Sequence, residues 1–278
     1  MKKSDIRVAI LRIEGTNCEQ ESLDAFQRLD TKPEFVHLKQ LLHVDCSKEE
    51  IRNLSDFHCL MIPGGFSAGD YIRAGAILAA RMKSKLQDEL NAFVENGYPI
   101  LGVCNGFQVL IELGLLPGIS KSMSHIPQAC LHINDSSRFE CRPTLLKHES
   151  KGNCSFTSQI PEEDILLIPS AHAEGKLIFA GDDQEKTVKI LEDNDQIVFR
   201  YVDPEGEYAD YPWNPNGSIS NIAGICNRDG NVFGMMPHPE RVFYQFQHPQ
   251  WTRDHTVDGF GDGKIIFDSI VDYIQKNL

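Results

Sequence analysis

The sequence has no run approaching the roughly 18 apolar residues that cross a bilayer, no CxxC pair, and no short cysteine and histidine cluster of the kind that holds structural zinc. Basic residues are also scarce: 27 Lys and Arg stand against 40 Asp and Glu, a formal charge of −13 over 278 residues. This balance argues against general nucleic-acid or anionic-membrane binding. There is no P-loop ending and no GxGxxG, so the usual nucleotide fingerprints are missing. The start, MKKSDIRVAILRIEG, has a basic beginning, but Arg12 and Glu14 interrupt its apolar stretch and no small-residue cleavage site follows. It reads as a first strand, and the chain is expected to be cytoplasmic. Hydrophobic residues at 41% and charged residues at 24% describe an ordinary globular protein. Its eight cysteines, at 18, 46, 59, 104, 130, 141, 154 and 226, are expected to serve mostly as small apolar thiols.

The first 115 residues alternate strand and helix signals. Strands are predicted at 6–13, 33–38, 57–63 and 99–104, and helices at 18–29, at 76–97 closed by Gly97, and from Asn105 onward. Leu23, Phe26 and Leu29 share one face of the first helix. This order implies an α/β fold, a doubly wound and mostly parallel sheet flanked by helices. After Leu116 the segments shorten and read as an added antiparallel portion: 139–146, 164–168, 187–191, 196–202, 222–226 and 231–235. A last helix carries Ile266, Ile270 and Ile274 at helical spacing. The stretch 203–221, rich in turn formers and aromatics, reads as a surface excursion from a single domain covering 1–278.

Cys104 is set apart by its neighbours. It ends an apolar strand and opens a helix inside GVCNGFQ, with Gly102 and Gly106 placed to relieve the crowding of a sharp strand-to-helix turn. Such a turn presents an exposed nucleophile at the carboxyl edge of the sheet, where a helix N-terminus favours thiolate. A core cysteine between packing glycines is the plainer alternative. The candidate base lies in MMPHPER, where His238 and Glu240 stand two apart on a proline-stiffened segment. A thiol, an imidazole and a carboxylate that orients it make a triad. PGGFSAGD, at 63–70, supplies a glycine turn from which the Gly65 amide, together with that of Asn105, could hold an oxyanion; a simple tight turn is the alternative.

PGGFSAGDYIRAGAI, GVCNGFQVL, AHAEG and GMMPHPER, in this order, resemble the class I (triad) glutamine amidotransferases across essentially the whole chain. GTNCEQE (15–21) and NDSSRFECR (134–142) are most similar to the branch serving phosphoribosylformylglycinamidine synthase. The resemblance implies a flavodoxin-like fold and assigns roles residue by residue. Cys104 becomes the nucleophile, His238 the general acid/base, Glu240 the orienting carboxylate, Gly65 and Asn105 the oxyanion hole, and Gln108 a side chain near bound L-glutamine. It implies that ammonia released from glutamine passes to a synthetase subunit, with room for a further small subunit, and that ATP and Mg²⁺ sit on that partner. No cofactor or metal is expected in this chain. Two positions depart from the family: Ala68 stands where tyrosine is frequent, and Ala173 where glycine is usual. An alanine at 173 would be strained if its backbone required positive φ. GDYIRAGAI is similar to the free-standing small subunit, whereas YPWNPNGS is similar to the glutaminase domain of the single-chain enzyme. The rival readings are a glutaminase for another synthetase, a different cysteine enzyme such as a peptidase or deglycase, a non-catalytic regulatory module, and a metal protein.

Overall fold

A computed structural model describes residues 1–119, 123–254 and 258–278. Among the described residues eleven strands run in chain order: β1 (Arg7–Arg12), β2 (Lys32–His37), β3 (Cys59–Ile62), β4 (Ile100–Val103), β5 (Ala129–Ile133), β6 (Glu140–His148), β7 (Ile165–His172), β8 (Glu174–Phe179), β9 (Ile197–Val202), β10 (Ile222–Cys226) and β11 (Val232–Met235). The helices are α1 (Glu19–Gln27), α2 (Leu38–Leu42), α3 (Ala76–Glu95), α4 (Asn105–Leu113), α5 (Gln184–Asp193), α6 (Trp251–Asp254) and α7 (Lys264–Asn277).

Nine strands form one sheet in the order β2-β1-β3-β4-β11-β10-β9-β6-β7. The half from β2 to β11 is parallel, and β10, β9, β6 and β7 extend it with antiparallel pairings. Strands β5 and β8 make a separate two-stranded ribbon. The parallel strands β3, β4 and β11 are buried at every position, as a sheet covered on both faces requires. Helix α7 seals one face by burying Ile266, Ile270 and Ile274 completely, and Phe26 of α1 meets Phe267 edge-on at 5.3 Å.

The mostly parallel sheet with an antiparallel extension agrees with the pattern of the sequence. One segment does not: 187–191, grouped with the short extended segments, lies inside α5. Asp183 accepts a hydrogen bond from the Lys186 N–H at the helix start, and Val188 and Leu191, three apart, bury the inward side. Gly97 follows α3 at φ 81, the left-handed conformation of a helix stop. The excursion at 203–221 exposes Tyr208, Tyr211 and Trp213, yet folds its last third inward on buried Asn214, Asn216 and Ser218.

Adjacency in the sheet places the chemistry. Strands β1, β3, β4 and β11 are successive neighbours pointing the same way, so the turns leaving their carboxyl ends meet at one edge. Gly106 is required there: a Cβ on it would lie 1.9 Å from the Ile62 carbonyl oxygen. Gly106→Ala is expected to destabilise the fold by about 2 kcal/mol or more through forced backbone displacement; urea unfolding measures it.

Candidate active site

Strand β4 delivers Cys104 directly into α4. Its backbone is at φ 52, ψ −108, a strained conformation for a residue with a side chain. The chain turns this sharply because α4 packs against the strand with nothing between them. A Cβ on Gly102 would meet the Gly106 carbonyl oxygen at 2.6 Å. The thiol is not exposed, as the elbow reading expected, but sits at 6% exposure in the wall of a pocket. Its Sγ lies 3.6 Å from the Ala171 carbonyl oxygen at the end of β7.

His238 and Glu240 leave β11, the strand beside β4. His238 Nδ1 meets Glu240 Oε1 at 2.6 Å, with both side chains almost wholly buried. His238 Nε2 is buried without a hydrogen-bond partner, and the Cys104 thiol is its neighbour. Burial opposes charge on this imidazole, but Glu240 and then Cys104 outweigh it and hold its pKa well above the ordinary value. The structure therefore brings thiol, imidazole and carboxylate together from two separated stretches of chain.

The turn after β3 forms the facing wall. Gly64 O accepts the Asn17 N–H and the Phe66 N–H binds Gly15 O, which leaves the Gly65 N–H between them out of the ladder. Gly65 has φ 141, and a Cβ on it would strike the Asn17 nitrogen at 2.6 Å. The Asn105 N–H belongs to the first turn of α4, where backbone donors lack a helical acceptor. The Asn105 side chain is fully engaged: Oδ1 accepts from the Ser67 N–H, and Nδ2 donates to Gln108 Oε1 at 2.9 Å and Asp70 Oδ1 at 3.3 Å. Gln108, also on the pocket wall, donates to the Glu174 carbonyl oxygen at 2.6 Å.

Ala68 stands at φ 52, so this departure from the family sits in a left-handed turn. Ala173 is not among the residues with positive φ, and alanine fits there without strain.

Several pocket residues carry no legible role in the sequence. Cys18 Sγ is 3.9 Å from His238 Nδ1 and 3.3 Å from Arg241 Nη2. His172 is buried, and its Nε2 accepts a hydrogen bond from Asn216 Nδ2 at 3.0 Å; burial, and then His238, push its pKa down to about 3, so it is neutral. Asp70 and Glu174 complete the wall. GTNCEQE was the one available signal for Cys18; for Asp70 and Glu174 only proximity in space reveals them.

Cys18, His238 and Glu240 offer ligand atoms within 4.8 Å of one another. The cationic Arg241 beside Cys18 and the direct His238–Glu240 bond favour a triad over a cation at this place.

With this geometry in view, the comparisons are specific. Residues 5–274 match the family model of the CobB/CobQ-like glutamine amidotransferase domain. The chain belongs to this glutamine amidotransferase family. It is 53% identical over 278 residues to the phosphoribosylformylglycinamidine synthase subunit PurQ of Archaeoglobus fulgidus, covering 99% of this chain and all of that one. The PurQ subunit of Picrophilus torridus is 47% identical, covering 94% of this chain and 96% of the relative. In the solved structure of PurLQS from Thermotoga maritima, a chain superposes with TM-score 0.70 at 31% identity, covering 97% of this chain and 99% of that one.

The His238–Glu240 pair has a pH signature. An imidazole whose folded pKa is raised adds stability that is complete below pH 6.5, its ordinary value, and is lost as pH rises through the folded pKa. Unfolding free energies of the wild type and Glu240→Gln are expected to differ more at pH 6 than at pH 9. A gap independent of pH would show that Glu240 does not hold the imidazole charged.

Proposed function

We propose that this chain is the glutaminase subunit of phosphoribosylformylglycinamidine synthase, hydrolysing L-glutamine to glutamate and ammonia for a synthetase subunit that converts formylglycinamide ribonucleotide to its amidine in purine biosynthesis. The observation that carries the reaction is the meeting of Cys104 with the buried His238–Glu240 pair in one pocket. Full-length identity to relatives named for that synthase supports the pathway.

The Cys104 thiolate attacks the side-chain amide carbon of glutamine, and the tetrahedral oxyanion is held by the Gly65 and Asn105 N–H groups. His238 protonates the departing nitrogen, so ammonia leaves and a γ-glutamyl thioester remains. The same imidazole then removes a proton from water, which attacks the thioester; glutamate departs and the thiol is restored. Glu240 keeps Nδ1 protonated and the ring in place throughout, as an orienting carboxylate does. Gln108, tied to Asn105 and to the Glu174 carbonyl, fixes the wall along the substrate.

Ammonia loses its nucleophilicity when protonated in bulk water, so its consumer must dock over the pocket. Exposed Phe66, Tyr71 and Ile72 follow Gly65 in sequence, and Phe139 packs toward Phe66 with ring centroids 6.5 Å apart. This apolar patch suits the synthetase. ATP and Mg²⁺ belong to that partner, and the work of this chain is in the cell's soluble phase. Among the described residues no helix is long and apolar enough to cross a membrane.

Ammonia release from glutamine by the assembled subunits tests the assignment. Cys104→Ala should abolish it, and His238→Ala should lower kcat by about 10² to 10⁴-fold, the usual contribution of a positioned acid/base. Glu240→Gln should cost less than His238→Ala. Glutamine hydrolysis by Cys104→Ala would refute the mechanism. Tyr71→Asp with Ile72→Asp should weaken association with the synthetase at least about tenfold, measured by titration calorimetry, while iodoacetamide still labels Cys104.

A further inference from the structure

Cys18 takes no part in the chemistry derived above, yet its sulfur lies against the catalytic imidazole and against the cation of Arg241. We infer that Cys18 is a positioning residue: its sulfur, together with Glu21, keeps the Arg241 guanidinium off the Glu240 carboxylate and so leaves that carboxylate to His238, an assignment that rests on the glutaminase reading above.

The main chain fixes where this thiol stands. The Cys18 N–H donates to the Gly64 carbonyl oxygen at 3.2 Å, and the Cys18 carbonyl oxygen accepts from Ser22 Oγ at 2.7 Å. Cys18 immediately precedes α1, but its side chain makes no capping hydrogen bond there. The sulfur is turned into the pocket wall instead. Gly64 is the point on which the site converges: a Cβ on it would lie 2.8 Å from His238 Cε1 and 3.3 Å from both Cys104 Cβ and Cys18 Sγ.

Arg241 directly follows Glu240, so a cation is tethered beside the carboxylate that supports the imidazole. Glu240 Oε1 is taken by His238 Nδ1 at 2.6 Å, whereas Oε2 is buried without a hydrogen-bond partner. A guanidinium and a carboxylate with a free oxygen pair strongly when they can meet, because both groups are charged. These two do not meet. Among the described residues the carboxylate that Arg241 reaches within 4 Å is that of Glu21, Nη2 to Oε1 at 3.5 Å, and the same Nη2 donates to Cys18 Sγ at 3.3 Å. Sγ is also 3.9 Å from His238 Nδ1. Glu21 thus draws the cation outward, and the sulfur fills the space beside Nδ1 into which it would otherwise turn.

The residue type suits this place. A thiol accepts hydrogen bonds weakly, so it can meet the guanidinium without competing with Glu240 for the Nδ1 proton, as an aspartate or asparagine would. A thiol that only packs would explain the burial of Cys18. It would not explain a guanidinium resting on sulfur while a carboxylate oxygen next in sequence goes unpaired.

The consequence is electrostatic and can be read from a pH profile. Burial works against charge on His238, and Glu240 is the foremost group that supports it. The other titratable groups about the imidazole are Cys104 from the elbow, Cys18, and His172 from the end of β7, which is neutral. A guanidinium on Glu240 would lower the His238 pKa, and a general acid works only while protonated. The alkaline limb of kcat then moves to lower pH.

Ammonia release at saturating glutamine, by the chain assembled with its synthetase, is followed across pH. Cys18→Ala keeps every main-chain bond of Cys18 and is expected to move the alkaline limb down by about one pH unit, about a tenfold loss of rate on that limb. Adding Arg241→Gln to Cys18→Ala removes the cation and should restore most of that loss, so the two substitutions are coupled rather than additive. An unmoved limb in Cys18→Ala, or a shift that Arg241→Gln does not relieve, would overturn the inference and leave a packing thiol. The pH of the limb does not depend on how much of a preparation is folded, so a destabilised variant still reports it. A wild-type complex inert towards glutamine would instead overturn the glutaminase reading.

Discussion

The backbone at Cys104, held at φ 52 and ψ −108, occupies a region that costs a residue with a side chain on the order of 1 to 3 kcal/mol. It is sustained because Gly102 and Gly106 let α4 lie directly against β3 and β4, with no room for even a methyl group. Everything in the pocket is referred to this turn. The Asn105 side chain spreads from it to Ser67, Asp70 and Gln108, and Gln108 reaches on to Glu174. A displacement of the elbow would therefore move the Asn105 N–H, the turn at Gly65 and the far wall together.

Much of this was legible because local signals and chemistry coincide. Apolar runs of four to eight residues followed by glycine turns announced the parallel strands, and GVCNGFQ announced the elbow by its own steric logic. His238 and Glu240 could be paired with Cys104 only through triad chemistry and family resemblance, since their contact depends on β11 lying beside β4. The excursion at 203–221 was read as surface, and its inward-turning Asn216 was invisible because its partners lie on β7 and β9.

Where the reading failed, a short-range signal was ambiguous or absent. Residues 187–191 have the branched and apolar character of a strand, and the helix is decided by the Asp183 cap just outside that window. Ribbon β5–β8 joins stretches far apart in sequence, so no single window contains it. In the sequence Cys18 carries no mark that separates it from a packing thiol. It reaches His238 because the turn after β1 pairs with the turn after β3, a tertiary contact that periodicity cannot express.

The strand order has a consequence in time as well as in space. Strand β11 is inserted between β4 and β10, so the imidazole and its carboxylate enter the site on the last strand of the chain. During synthesis Cys104 and the turn at Gly65 emerge early, and His238 emerges only when the sheet is nearly complete. A truncated or nascent chain therefore carries a thiol with no partner to activate it. Under the proposed mechanism such a chain releases no ammonia from glutamine before the sheet is complete.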